Sequence, residues 1–126
     1  MSETPIVLVV DDEALVADIV ESCLREAGFE VVVVLNGEEA VAILEKETGT
    51  IRGLVTDVNL GRGMTGFDLG HRARELLPEL PVLYMTGDSA HEWSAQGVPN
   101  SVVIPKPFVA AQIVTALSSL LNITRV

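Results

Sequence analysis

Ile6-Val7-Leu8-Val9-Val10-Asp11-Asp12 decides how the chain is read. Five apolar residues run without a break and end in two carboxylates. A continuous run of this length suits a strand covered on both faces, as in parallel sheets between helices. The period then changes. Val16, Ile19, Val20, Cys23, Leu24 and Ala27 recur at helical spacing between Ala14 and Ala27. Gly28 closes the stretch as a C′ glycine. This is one β–α unit, and the rest of the chain repeats it.

Val31 to Leu35 is the second run, and Asn36-Gly37 turns the chain into a helix from Glu38 to Glu47. Leu54 to Thr56 is a short third strand that closes on Asp57. Phe67 to Leu77 is helical and Pro78 ends it. Val82 to Met85 is the fourth strand, reaching Thr86-Gly87. Asp88 to Gln96 reads as a short helix with Asp88 or Ser89 at its N-cap. Val102 to Ile104 is the fifth strand, ending at Pro105-Lys106-Pro107, and Phe108 to Leu121 is the last helix. The pattern predicts an α/β fold of five βα units, with a parallel sheet covered on both sides and right-handed crossovers.

Composition narrows the function. At 126 residues and 13.5 kDa the chain is expected to be a single domain, residues 1–126. A net charge of −10 argues against a nucleic-acid binder, which needs a basic face, and against an anionic membrane surface. No apolar run is long enough to span a bilayer. Met1-Ser2-Glu3-Thr4-Pro5 lacks the basic start of a signal peptide, so the cytoplasm is the expected compartment. Cys23, the lone cysteine, is expected to be a buried structural thiol.

In an open α/β sheet, sites form beyond the carboxyl ends of the strands. Four of the five strands end there in polar residues: Asp11 and Asp12, Asp57, Thr86, and Lys106. Two unit charges about 4 Å apart repel by roughly 4 kcal/mol at an effective dielectric near 20, so the three carboxylates call for a cation. A small set of oxygen ligands with room for water suits magnesium better than zinc. A divalent ion would let a carboxylate approach a phosphoryl donor. Thr86 can donate a hydrogen bond to a phosphoryl oxygen, and Lys106 can pair with the same group. The set suits nucleophilic carboxylate chemistry that gives an aspartyl phosphate. Helix capping by Asp11-Asp12 is the plainer alternative for that pair alone.

Asp11-Asp12 after an apolar strand, Asp57, Thr86 and Lys106-Pro107-Phe108 resemble the receiver domain of bacterial two-component response regulators. The resemblance runs from Ile6 to Leu121. It implies a flavodoxin-like three-layer sandwich with strand order 2-1-3-4-5. Asp57 would be the phosphorylated aspartate, Asp12 a direct Mg2+ ligand and Asp11 the holder of metal-bound water. Asn59 would lend its carbonyl to the metal. Thr86 would be the switch hydroxyl and Lys106 the lysine of the motif, with a cis bond into Pro107. The implied donor is a sensor histidine kinase or a histidine phosphotransfer protein, with Ala14 and Leu15 as docking candidates, and the output partner is unknown. A stand-alone receiver without an output domain is expected, and it is not a conventional enzyme. The alternative is a pseudo-receiver that binds partners without phosphorylation. A phosphohydrolase with an Asp-x-Asp nucleophile does not fit Asp11-Asp12-Glu13.

The departures from the family pattern carry expectations of their own. Val103 stands where the family's switch aromatic usually lies. The segment after Asp57 has Gly61 in place of a common proline and is one residue longer, which implies a more mobile loop. The segment from Gly87 to Ser101 is short, which implies a truncated fourth helix. No charged side chain occurs from Pro107 to Thr124, and the apolar residues there cannot all face one side of a helix. An exposed edge at Val109 and Ile113 that forms a homodimer or partner interface is therefore expected. His71 and His91 are expected to be solvated, and Trp93 to be half-buried.

Overall fold

In the computed structural model of the protein, residues 6–47, 49–87, 90–106 and 110–124 are described. The elements are β1 (Ile6–Val10), α1 (Ala14–Glu26), β2 (Glu30–Val34), α2 (Gly37–Lys46), β3 (Ile51–Asp57) and α3 (Gly66–Leu76). They continue with β4 (Val82–Thr86), a 3-10 turn (Ala90–Glu92), α4 (Trp93–Gln96), β5 (Ser101–Pro105) and α5 (Ala110–Thr124). The five strands form one parallel sheet of order β2-β1-β3-β4-β5, as the resemblance implied.

The strands are apolar on both sides because each side is covered. Val7, Val9, Val55, Leu83 and Met85 pack with Val20 and Leu24 of α1 and with Ile113 and Leu117 of α5. Leu8, Val10, Leu54, Val82 and Tyr84 pack with Ala40 and Leu44 of α2 and with Phe67, Leu69 and Ala73 of α3. The result is a three-layer sandwich. Local signals start the helices of the second side. Asn36 Oδ1 accepts from Glu39 N–H at 2.8 Å ahead of α2, and Thr65 and Asp68 form a reciprocal capping box ahead of α3.

Three expectations need correction. Strand β3 is longer than its apolar core suggests, because the chain pairs with β1 from Ile51 onward, with a register irregularity between Ile6 and Val7. Cys23 is only half-buried, on a face of α1 shared with Asp18, Ile19, Ser22 and Glu26 around a shallow depression. Among the described residues the last helix does not show the exposed apolar edge that was expected. Ile113, Leu117 and Leu120 are in the core, and Ala111, Gln112, Thr115 and Ser119 face solvent. Ile113 is fully buried and cannot form an interface in this fold. Uncharged polar and small residues simply replace the usual charges on the outer face.

The short fourth helix is borne out: α4 has 4 residues behind a 3-10 turn. Trp93 is half-buried there, and its Nε1–H donates to Ser101 Oγ at 2.8 Å across the seam with β5. Asp88 and Ser89, Pro107 with its expected cis bond, Phe108 and Val109 lie outside the described residues.

Candidate functional site

The topology brings the acidic turn after β1 beside the end of β3, with the ends of β4 and β5 following on. Asp57 is the last residue of β3, paired in register with Met85 of β4, while Val10 pairs with Thr56. The Val58 amide then donates to the Met85 carbonyl at 2.9 Å, and the Asp11 amide to the Val34 carbonyl at 3.3 Å. These bonds fix where the side chains of both aspartates emerge.

Each carboxylate of Asp11, Asp12 and Asp57 offers an oxygen that lies within 4.8 Å of the other two. Asp11 is buried, and its Oδ1 accepts from Glu13 N–H at 2.9 Å. Its Oδ2 is buried with no hydrogen-bond partner among the described residues. Asp12 is exposed and Asp57 is 4 % exposed. Like charges gathered around an unpartnered buried oxygen fit a divalent cation, and an all-oxygen donor set suits a hard ion such as Mg2+. Asn59 lies beside the cluster; its N–H donates to Asp57 Oδ1 at 3.3 Å and its side chain is exposed.

Lys106 reaches the cluster from the end of β5. Its N–H donates to the Thr86 carbonyl at 2.6 Å, which binds the two strand ends together. Its Nζ lies 3.2 Å from Asp57 Oδ2 and 3.5 Å from Glu13 Oε1. Thr86 is buried at the end of β4. Burial pushes the Asp57 carboxyl up, while the Lys106 charge and hydrogen bond pull it down; the net is a rise. Burial works against the Lys106 charge, but Asp57, Asp11 and Glu13 outweigh it and raise the ammonium. Asp11 is pushed up to about 6, chiefly by burial, with the Glu13 N–H opposing and the Asp57 charge adding.

The loop after Asp57 is anchored on the core at Val58 and Leu60, and partly at Met64, which leaves Gly61 to Gly63 as an exposed arch. A Cβ at Gly61 would come within 3.4 Å of Asp12 Oδ2, so the arch runs close over the acidic cluster. Gly66 shows why the loop closes as it does. Its N–H donates to the Val58 carbonyl at 2.7 Å, and a Cβ there would collide with the Asp57 carbonyl oxygen.

All six expected site residues, Asp11, Asp12, Asp57, Asn59, Thr86 and Lys106, lie at this one edge of the sheet. Sequence reasoning missed Glu13 as a partner of Lys106 and gave Tyr84 no part. Tyr84 is fully buried in the core on the α3 side of the sheet, its hydroxyl accepting from Val98 N–H at 3.2 Å. Val103, where the family's aromatic was expected, is half-buried against the α2–α3 side. His91 is exposed, as expected; His71 is exposed too but places Nε2 2.7 Å from the Gln96 carbonyl oxygen.

Residues 7–118 match the family model of the response regulator receiver domain. A response regulator receiver protein from Sinorhizobium medicae is 39% identical, with a TM-score of 0.93 and 97% of this chain and 98% of that one covered. The probable transcriptional regulatory protein TcrX of Mycobacterium tuberculosis is 34% identical over 95% of this chain and 51% of its own length. The response regulator protein FleR of Pseudomonas aeruginosa is 35% identical over 82% of this chain and 22% of its own length. The chain thus spans about half or less of these curated relatives. No helix among the described residues is long and apolar enough to cross a membrane. Receiver domains are signalling modules of two-component systems rather than classical enzymes. By its matched length, its sheet order and its sheet-edge carboxylates, the chain belongs to the response regulator receiver domain family.

Proposed function

We propose that Asp57 is a phosphoacceptor that takes a phosphoryl group from a phosphohistidine donor. The observation that carries the reading is Lys106 Nζ placed 3.2 Å from Asp57 Oδ2 beside three clustered carboxylates. Asp11, Asp12 and Asp57, with the Asn59 carbonyl, would hold Mg2+. When bound, the ion supplies neutralisation of the negative charge that carboxylate and phosphate bring together. An Asp57 oxygen forms the bond to phosphorus as the P–N bond to the donor imidazole breaks, and the electron pair returns to the ring nitrogen. Lys106 and the Thr86 hydroxyl then receive the phosphoryl oxygens. The shift around Thr86, carried to β5 and α5, would alter partner binding or permit onward phosphotransfer. Hydrolysis of the aspartyl phosphate by the same site resets the domain.

The donor is a sensor histidine kinase or a histidine phosphotransfer protein. The docking surface is the start of α1, where Ala14 is exposed, Leu15 is 80 % exposed and Ile19 is 57 % exposed. Residues 1–126 act as a single receiver unit in the cytoplasm, without contact to nucleic acid or membrane. Intact-mass analysis after acetyl phosphate tests the reading. One phosphoryl mass is expected with magnesium, none in metal-free buffer and none in Asp57→Asn. An adduct that persists in Asp57→Asn would overturn it, and a wild type that takes no adduct would favour the phosphorylation-independent binding module.

A further inference from the structure

Lys106 does not face Asp57 alone. Its Nζ is also 3.5 Å from Glu13 Oε1, and the two carboxylates differ in setting: the Asp57 side chain is 5% exposed and that of Glu13 64%. The Glu13 backbone is itself fixed, because its N–H donates to Asp11 Oδ1 at 2.9 Å. Residue 13 therefore ties the acidic turn after β1 to the lysine after β5. A lysine ammonium carries three donors on a flexible stem, so it can hold two carboxylates or pass from one to the other.

We infer that Glu13 is a positioning residue for phosphoryl transfer, acting as the second counter-ion of Lys106. This rests on the phosphoacceptor reading above. Lys106 donates to Asp57 Oδ2 and the Asn59 amide to Oδ1, so both oxygens that could attack phosphorus are engaged. Each oxygen keeps a further lone pair for attack, but Lys106 has to leave Oδ2 if it is to meet the phosphoryl oxygens. With acetyl phosphate, an Asp57 oxygen forms the bond to phosphorus, the P–O bond to the acetyl group breaks, and the electron pair leaves on acetate. Glu13 keeps the ammonium at the mouth of the site while Asp57 Oδ2 gives up its hydrogen bond. Lys106 then meets the phosphoryl oxygens instead of staying locked on the nucleophile.

The sign separates this role from simple repulsion. If the Glu13 charge only repelled an anionic donor, its removal would lower KM and speed labelling. Acting through Lys106, its removal slows the step at saturating donor. The test is the rate of Asp57 labelling by acetyl phosphate with magnesium, across donor concentrations, in wild type, Glu13→Gln, Lys106→Met and the double variant. Glu13→Gln is expected to lower the maximal rate about threefold with little change in KM, the scale of a partly exposed ion pair. In the Lys106→Met background it should change the rate by less than about 1.5-fold, because the two residues act as one unit. In metal-free protein the Lys106 Cε–Nζ NMR signals should move in Glu13→Gln and stay put in Asp18→Asn. A maximal rate that is unchanged or raised in Glu13→Gln, an equal loss with and without Lys106, or unmoved Lys106 signals would each overturn the inference alone. A wild type that takes no phosphoryl group would bring down the phosphoacceptor reading and this inference with it.

Discussion

Asp11 Oδ2 lies buried in the fold without a hydrogen-bond partner among the described residues. Burial, opposed by the Glu13 N–H and aided by the Asp57 charge, moves the Asp11 carboxyl from 3.8 to about 6. The native protein thus holds this proton more tightly than the unfolded chain does. In metal-free protein, stability is greatest with Asp11 protonated and falls as pH rises from 3.8 through about 6. Asp57 is shifted in the same direction, again chiefly by burial. A divalent cation binds the ionised carboxylates, so it should stabilise most above that window. In EDTA the melting temperature is expected to fall between about pH 4.5 and about pH 7.5, and excess MgCl2 should restore more at the higher pH. Asp11→Asn should reduce both effects in a fluorimetric melt, with the remainder carried by Asp57. An equal magnesium gain at both pH values would place the ion elsewhere. The carboxylates, Thr86 and Lys106 were legible in the sequence because each ends an apolar run at the sheet edge where ligands bind. Glu13 was not: it reads as the solvated start of a helix, and its partner lies 93 positions away.

At the scale of elements, α3 does more than cover the sheet. Arg74 donates through Nε to the Leu80 carbonyl at 2.6 Å, through Nη1 to that of Pro99 at 2.6 Å and through Nη2 to that of Asn100 at 3.2 Å. His71 meets the Gln96 carbonyl one turn earlier on the same helix. The short α4–β5 connection is therefore fastened to α3, and Tyr84 holds Val98 from below. Arg74→Ala leaves three carbonyls to find other donors and should cost about 2 kcal/mol of stability. Amides from Gly97 to Ser101 should then exchange faster by mass-resolved hydrogen exchange while those of β1 and β3 lag behind. Exchange rising uniformly across the chain would refute a local clamp. Strand and helix order was readable because the period switches between continuous apolar runs and helical spacing. The first half of β3 was not, since Arg52 and Gly53 break the apolar run although β1 pairs with it. The last helix misled because missing charge was read as an exposed apolar edge. Ile113 is in the core, and residues such as Gln112 and Thr115 cover the outside.

At the scale of the whole molecule, the large exposed apolar side chains among the described residues lie on α1 and at the β2 edge: Leu15, Ile19, Val32 and Leu35. Leu15 and Ile19 are one turn apart on the same helix face. Leu15→Ser with Ile19→Ser should slow phosphotransfer from a cognate histidine donor by about tenfold or more, the effect of losing apolar contact area from an interface. Labelling by acetyl phosphate should stay as in wild type. Equal loss with both donors would mean damage to the site rather than to docking. The net charge of −10 suits this division, since apolar contact must draw the partner where anionic surfaces are repelled. Trp93 gives the molecule one more property. It is the only tryptophan in the sequence, and its indole N–H is tied to Ser101 across the seam between α4 and β5. The protein thus carries its one indole fluorophore at the joint through which a signal from Thr86 would pass. Its emission colour and quenching can follow that joint in real time, without any dye.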